Sequence, residues 1–90
     1  MKTHVDGNDK GNVMLYALST CVWCGRTKSV LSEIGVAYDY VDVDLLEPHE
    51  RRQVLLDIEK YNPAKTFPTL VIGSVPIRGF KEDQIRELLT

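Results

Sequence analysis

Hydrophobic and polar positions divide the chain into a polar lead and a series of short apolar segments separated by turn residues. The segment 1–12 carries Gly7, Asn8, Asp9, Gly11 and Asn12 and few apolar groups. It reads as a loosely held, flexible N-terminal tail. Val13-Met14-Leu15-Tyr16-Ala17-Leu18 is an apolar run of strand length. Ser19-Thr20 then offers helix-capping side chains. Thr27, Val30, Leu31 and Ile34 make one stripe of a helix from Val22 to about Ile34, closed by Gly35. Ala37 to Asp44 mixes Tyr and Val with Asp and reads as a strand.

Glu47-Pro48 suits a helix start, because proline is tolerated in the first turn. Val54, Leu55, Ile58 and Tyr61 recur at helical spacing until Asn62-Pro63 ends the run. Pro68 to Ile72 and Val75 to Arg78 read as strands joined by a Gly73-Ser74 hairpin turn, and Pro76 puts the second at a sheet edge. After Gly79, a last helix is predicted from Phe80 to Leu89, with Ile85, Leu88 and Leu89 inward. The order is β-α-β-α-β-β-α. This predicts one α/β domain over residues 13–90 with a four-stranded mixed sheet, its helix-linked strands parallel.

Length and charge narrow the function. Ninety residues fit a single domain. A net charge of −2 leaves no basic stripe for nucleic acid. No apolar run reaches membrane-spanning length, and the polar first dozen residues lack a signal-peptide core. The expected location is therefore cytoplasmic, where thiols stay reduced and a cysteine pair points to catalysis or metal binding.

Cys21-Val22-Trp23-Cys24 supplies that pair at the junction of a strand and a helix. A three-residue separation puts both sulfurs on one side of the first helical turn. Unpartnered backbone N–H groups and the positive end of the helix dipole favour an anion at Cys21. Cys24, one turn in, is expected to be more buried. Cys21 is thus the expected nucleophile and Cys24 the resolving thiol. A structural disulfide is disfavoured, since so small a loop removes little chain entropy. The remaining soft ligands, His4 and His49, fit no common zinc spacing and read as exposed surface residues. Arg26 and Lys28 either add positive potential near the pair or are solvated helix charges. The acidic stretch Asp39, Asp42, Asp44, Glu47 and Glu50 reads as a solvated edge.

The cysteine segment from Thr20 to Cys24, the following Arg26 and Lys28, the Thr66-Phe67-Pro68-Thr69 segment and the late Gly79-Phe80 together resemble the glutaredoxin branch of the thioredoxin superfamily. That resemblance implies a thioredoxin-like fold and a cis bond before Pro68. A cis bond there exposes the Phe67 backbone beside Cys21, ready to pair with a peptide or glutathione. Thr20, Val22, Trp23, Thr66, Phe67, Pro68, Gly79 and Phe80 become the expected substrate-binding residues. Trp23 is either a partner contact or a ring packed on Phe80.

Glutaredoxins tend to carry a basic residue where this chain has Leu18, and often Gly-Gly where it has Arg78-Gly79. Cys-Val-x-Cys and Gly-Phe-Lys-x-Asp, residues 79–83, instead resemble the NrdH-redoxins. The resemblance implies a monomer that donates electrons to protein disulfides, for example in ribonucleotide reductase, and is reset by a thioredoxin reductase-type enzyme. No tightly bound cofactor is implied, with glutathione a candidate co-substrate. An alternative class is an iron–sulfur protein whose cluster bridges two chains through Cys21. An adaptor with incidental cysteines is a third.

Overall fold

The computed structural model describes residues 2–90. Strand β1 spans Thr3–Val5, β2 Val13–Ala17, β3 Tyr38–Asp42, β4 Thr69–Ile72 and β5 Val75–Arg78. Helix α1 spans Val22–Ile34, α2 Pro48–Tyr61 and α3 Glu82–Leu89, with a 3-10 turn at Val43–Leu45.

The sheet order is β1-β3-β2-β4-β5. Strands β2 and β3 are parallel, joined through α1, while β4 and β5 form an antiparallel hairpin beside β2. Alternation along β2 builds two cores. Val13, Leu15 and Ala17 are buried on the face that meets Leu31 of α1 and Ile85 and Leu89 of α3. Met14 and Tyr16 pack on the other face, with Val54 and Ile58 of α2. The result is a three-layer α/β sandwich whose central strand ends at the cysteine pair. Pro76 sits on β5, at an edge, as its missing N–H requires.

The sheet has five strands, not four, and the added strand comes from the segment read as a tail. Thr3, His4 and Val5 pair antiparallel with Tyr40, Asp39 and Tyr38. His4 Nδ1 lies 2.8 Å from Asp39 Oδ1 and Lys2 Nζ 3.4 Å from Asp39 Oδ2. Asn8 N–H donates to the Gly35 carbonyl and Ala37 N–H donates back to the Asn8 carbonyl, each at 2.8 Å. Gly7 permits this approach: a Cβ there would meet the Gly35 oxygen at 2.6 Å.

Other differences are local. Cys21, not Ser19 or Thr20, is the N-cap of α1. Gly35 does close α1, at φ 82°. Helix α3 begins at Glu82, two residues after Phe80, because Gly79 at φ 82° turns the chain and Lys81, with non-helical backbone, takes the N-cap. Ile85 and Leu89 face the core one turn apart, which leaves Leu88 at the surface, 44% exposed.

Candidate active site

The end of β2 delivers the chain to Leu18, and Cys21 N–H donates to the Leu18 carbonyl at 3.2 Å. Asp44, in the 3-10 turn after the neighbouring strand β3, secures the intervening loop. Its carboxylate accepts from Ser19 N–H at 2.8 Å and from the Ser19 hydroxyl at 2.5 Å. These bonds hold the Asp44 carboxyl below its ordinary value. The loop therefore enters α1 in a fixed direction.

Cys21 then caps the helix with its own sulfur. Cys24 N–H donates to Cys21 Sγ at 3.2 Å, so an otherwise unpartnered helix-end donor is aimed at that atom. Cys21 is partly exposed and Cys24 is fully buried; both are free thiols. Burial pushes the Cys24 thiol up to about 12, reinforced by its hydrogen bond with Cys21. The two sulfurs are thus unequal in access, and burial favours the thiol form of Cys24.

A groove of about 210 Å³ runs beside them, lined by Trp23, Phe67, Pro68, Gly79 and Phe80. The Phe67–Pro68 bond is cis, as the resemblance implied. Gly79 N–H donates to the Pro68 carbonyl at 2.8 Å and joins the two sides of the groove. Trp23 is 54% exposed and stacked on Phe80, with ring centroids 5.6 Å apart, so its ring packs on Phe80 while much of it stays open to solvent. The Arg26 guanidinium lies over the Trp23 ring at 5.2 Å.

Of the expected binding residues, Val22 is 70% exposed beside the pair. Thr20 is exposed and lies outside the residues lining the groove. Thr66 is exposed too, but its hydroxyl is turned to Asn62.

Three features of the site were not read from the sequence. Asn62, buried at the end of α2, donates from Nδ2 to the Thr66 carbonyl at 3.2 Å and to the Thr66 and Thr69 hydroxyls at 2.9 Å each. It pins both ends of the segment that holds Phe67 and Pro68. Lys28 is not a solvated charge: its Nζ lies 3.2 Å from Asp42 Oδ1 and 4.1 Å from the Tyr40 ring centroid. The acidic stretch is likewise largely engaged, since Asp39, Asp42 and Asp44 each hold a partner. A larger cleft of about 620 Å³ lies at the far end of β2, near Asn12, Tyr16 and Asp57, away from the cysteines. Among the described residues, no three His, Cys, Asp or Glu side chains gather to hold a metal. None of the described helices is long and apolar enough to cross a membrane.

A mixed sheet with two helices on one face and one on the other, carrying a cysteine pair at a helix front beside a cis-proline, defines a thioredoxin-like domain. The family model "Glutaredoxin" matches residues 13–77. A glutaredoxin structure from Methanosarcina mazei is 47% identical with a TM-score of 0.91, covering 98% of this chain and 86% of that one. The methanoredoxin of Methanosarcina acetivorans is 46% identical with a TM-score of 0.89, covering 92% of this chain and 88% of that one. The NrdH-redoxin of Escherichia coli shares the fold at a TM-score of 0.67 and 23% identity, over 87% of this chain and 95% of that one. The chain spans 63% of the length of the Rickettsia conorii protein "Glutaredoxin 1", to which it is 28% identical over 74% of its own length. The chain belongs to the glutaredoxin family.

Proposed function

We propose that this chain is a dithiol–disulfide oxidoreductase that reduces protein disulfides. The observation that carries this reading is the inequality of the two sulfurs. Cys21 is reachable and receives a helix-end N–H, whereas Cys24 is buried and keeps its proton. Cys21 attacks a substrate disulfide and forms a mixed disulfide. Cys24 then attacks Cys21 Sγ, releases the reduced substrate and leaves the Cys21–Cys24 disulfide. The groove between Trp23, Phe67 and Phe80 would seat the peptide that flanks the substrate cysteine, with Val22 and the exposed Trp23 ring as partner contacts.

On this reading the partners are a disulfide-bearing protein, for example ribonucleotide reductase, and a thioredoxin reductase-type enzyme. The chain works alone, in the cytoplasm and without a tightly bound cofactor. The Cys-Val-x-Cys motif and the Gly79-to-Asp83 segment support this choice of partners. So does Leu18, which offers a glutathione carboxylate no charge.

The test offers the oxidised protein a panel of reductants: glutathione with its reductase, NADPH with a thioredoxin reductase, and a ferredoxin-linked reductase. Rapid resetting by the thioredoxin reductase, with glutathione inert, is the expected result. Efficient resetting by glutathione would make it a glutathione-dependent glutaredoxin. Failure with every reductant, together with a brown colour on anaerobic purification, would favour the cluster-bridging alternative.

A further inference from the structure

Once the mixed disulfide has formed, turnover depends on the fully buried sulfur of Cys24 giving up its proton in an apolar setting, where an anion is costly. A fixed cation nearby would ease that step, and the fold holds one. Lys28 follows Cys24 by four residues on α1, which puts the two side chains on one helix face. That face looks onto the sheet. Cys24 packs in the same core as Ala17, and Ala17 is paired in register with Asp42. Asp42 in turn holds Lys28 Nζ at 3.2 Å, while the Tyr40 ring takes the cation on its face at 4.1 Å. This is the most enclosed ion pair among the described residues, with side chains 27% and 17% exposed. Charges so placed are screened less than exposed ones.

We propose that Lys28, anchored between Asp42 and the Tyr40 ring, promotes the attack of Cys24 in the resolving step. This rests on the dithiol reading of the site. Lys28 is a positioning residue that acts through Cys24. Its field favours the Cys24 thiolate. The Cys24 proton passes to water. The thiolate attacks Cys21 Sγ and the Cys21–Cys24 bond forms. The bond from Cys21 to the substrate sulfur breaks, and the electron pair departs on that sulfur. The cysteine pair is oxidised by two electrons as the substrate disulfide becomes two thiols.

Other charged and titratable groups around Cys24 are few. Helix α1 adds Cys21, and β3 adds Asp42, Tyr38 and Tyr40. The remaining core neighbours on β2, β4 and α3 are apolar, Leu15, Leu70 and Ile85 among them. Lys28 is the cation of this set, and the negative Asp42 opposes it only in part, because Asp42 also fixes where the ammonium stands.

The test follows the two successive thionitrobenzoate anions released when reduced protein meets dithiobisnitrobenzoate. The first reports attack by Cys21 and the second attack by Cys24; a Cys24→Ser protein marks the first alone. In Lys28→Met the second release should slow about tenfold at neutral pH and its pH profile should move up by about one unit, the first release staying unchanged. Lys28→Arg should restore the second release. A second-release profile in Lys28→Met that matches the unaltered protein would overturn the role of Lys28. So would equal slowing of both releases. A second release missing from the unaltered protein would instead sink the dithiol reading, and this inference with it.

Discussion

Replacing Cys21 with serine is expected to abolish disulfide reduction, while replacing Cys24 with serine should leave a protein that stalls as a covalent adduct with its substrate. The two roles follow from the positions of the sulfurs. Cys21 is partly exposed, two residues before the groove-lining Trp23, and its Sγ accepts the Cys24 N–H at 3.2 Å. A serine hydroxyl in the same place supplies almost no anion at neutral pH, so turnover should fall by at least about 10³-fold. Cys24 lies behind it, fully buried, with burial first and the Cys21 hydrogen bond second holding its proton in place. In the free protein its side chain meets the Cys21 sulfur and has no exposed surface. The Cys24→Ser protein should therefore accumulate a one-to-one mixed disulfide, visible as a mass increment that a reductant removes. Turnover retained by Cys21→Ser would reverse the two roles.

The second large effect is expected at Asn62, which holds both ends of the Phe67-Pro68 segment. Asn62→Ala should destabilise the fold by about 2–3 kcal/mol, since it removes one buried and two partly buried hydrogen bonds of about 1 kcal/mol each and leaves a small void. Asn62 is 2% exposed and Thr69 is fully buried, so water does not readily replace the lost amide. The Thr69 hydroxyl keeps its bond to the Thr66 carbonyl at 2.7 Å, which limits the cost. For a domain of this size, Tm should fall on the order of 10–20 °C. Asn62→Asp separates volume from hydrogen bonding. It keeps the size but turns an acceptor toward the Thr66 carbonyl where a donor stood, and should be at least as damaging. A thermal scan of Asn62→Ala that overlays the unaltered protein would remove this residue from the account.

The parts of the fold that were legible share one property: their signal is local. Val13 to Ala17 alternates in and out of two cores, α1 carries its stripe and its closing Gly35, and Gly73-Ser74 names its own turn. Strand β1 has no such signal. Thr3, His4 and Val5 form three residues of mixed polarity, and what fixes them is pairing to residues some 35 positions away. Ser19 fits a helix cap by type, but Asp44, 25 positions on, takes its N–H and its hydroxyl and leaves the cap to Cys21.

The same division runs through the site. The cysteine pair was found because its residue type, spacing and place before a helix carry chemistry by themselves; Phe67-Pro68 and Gly79-Phe80 were found through the family resemblance, and the groove brings these four together. Lys28 was left between a solvated helix charge and a source of positive potential near the pair, and Asn62 was read only as a helix end. Their roles come from Asp42 and Tyr40 in one case and from Thr66 and Thr69 in the other. A buried asparagine at the end of an amphipathic helix, followed by threonines four and seven positions on, is the sequence pattern that would have marked the second.

The central claim is that one thiol attacks and the other resolves. Brief alkylation of the fully reduced protein with iodoacetamide at neutral pH, followed by peptide mapping, tests it most directly. Modification should fall on Cys21 well before Cys24, because only Cys21 combines access with a helix-end N–H donor. Equal labelling of the two, or Cys24 labelled first, would contradict the account.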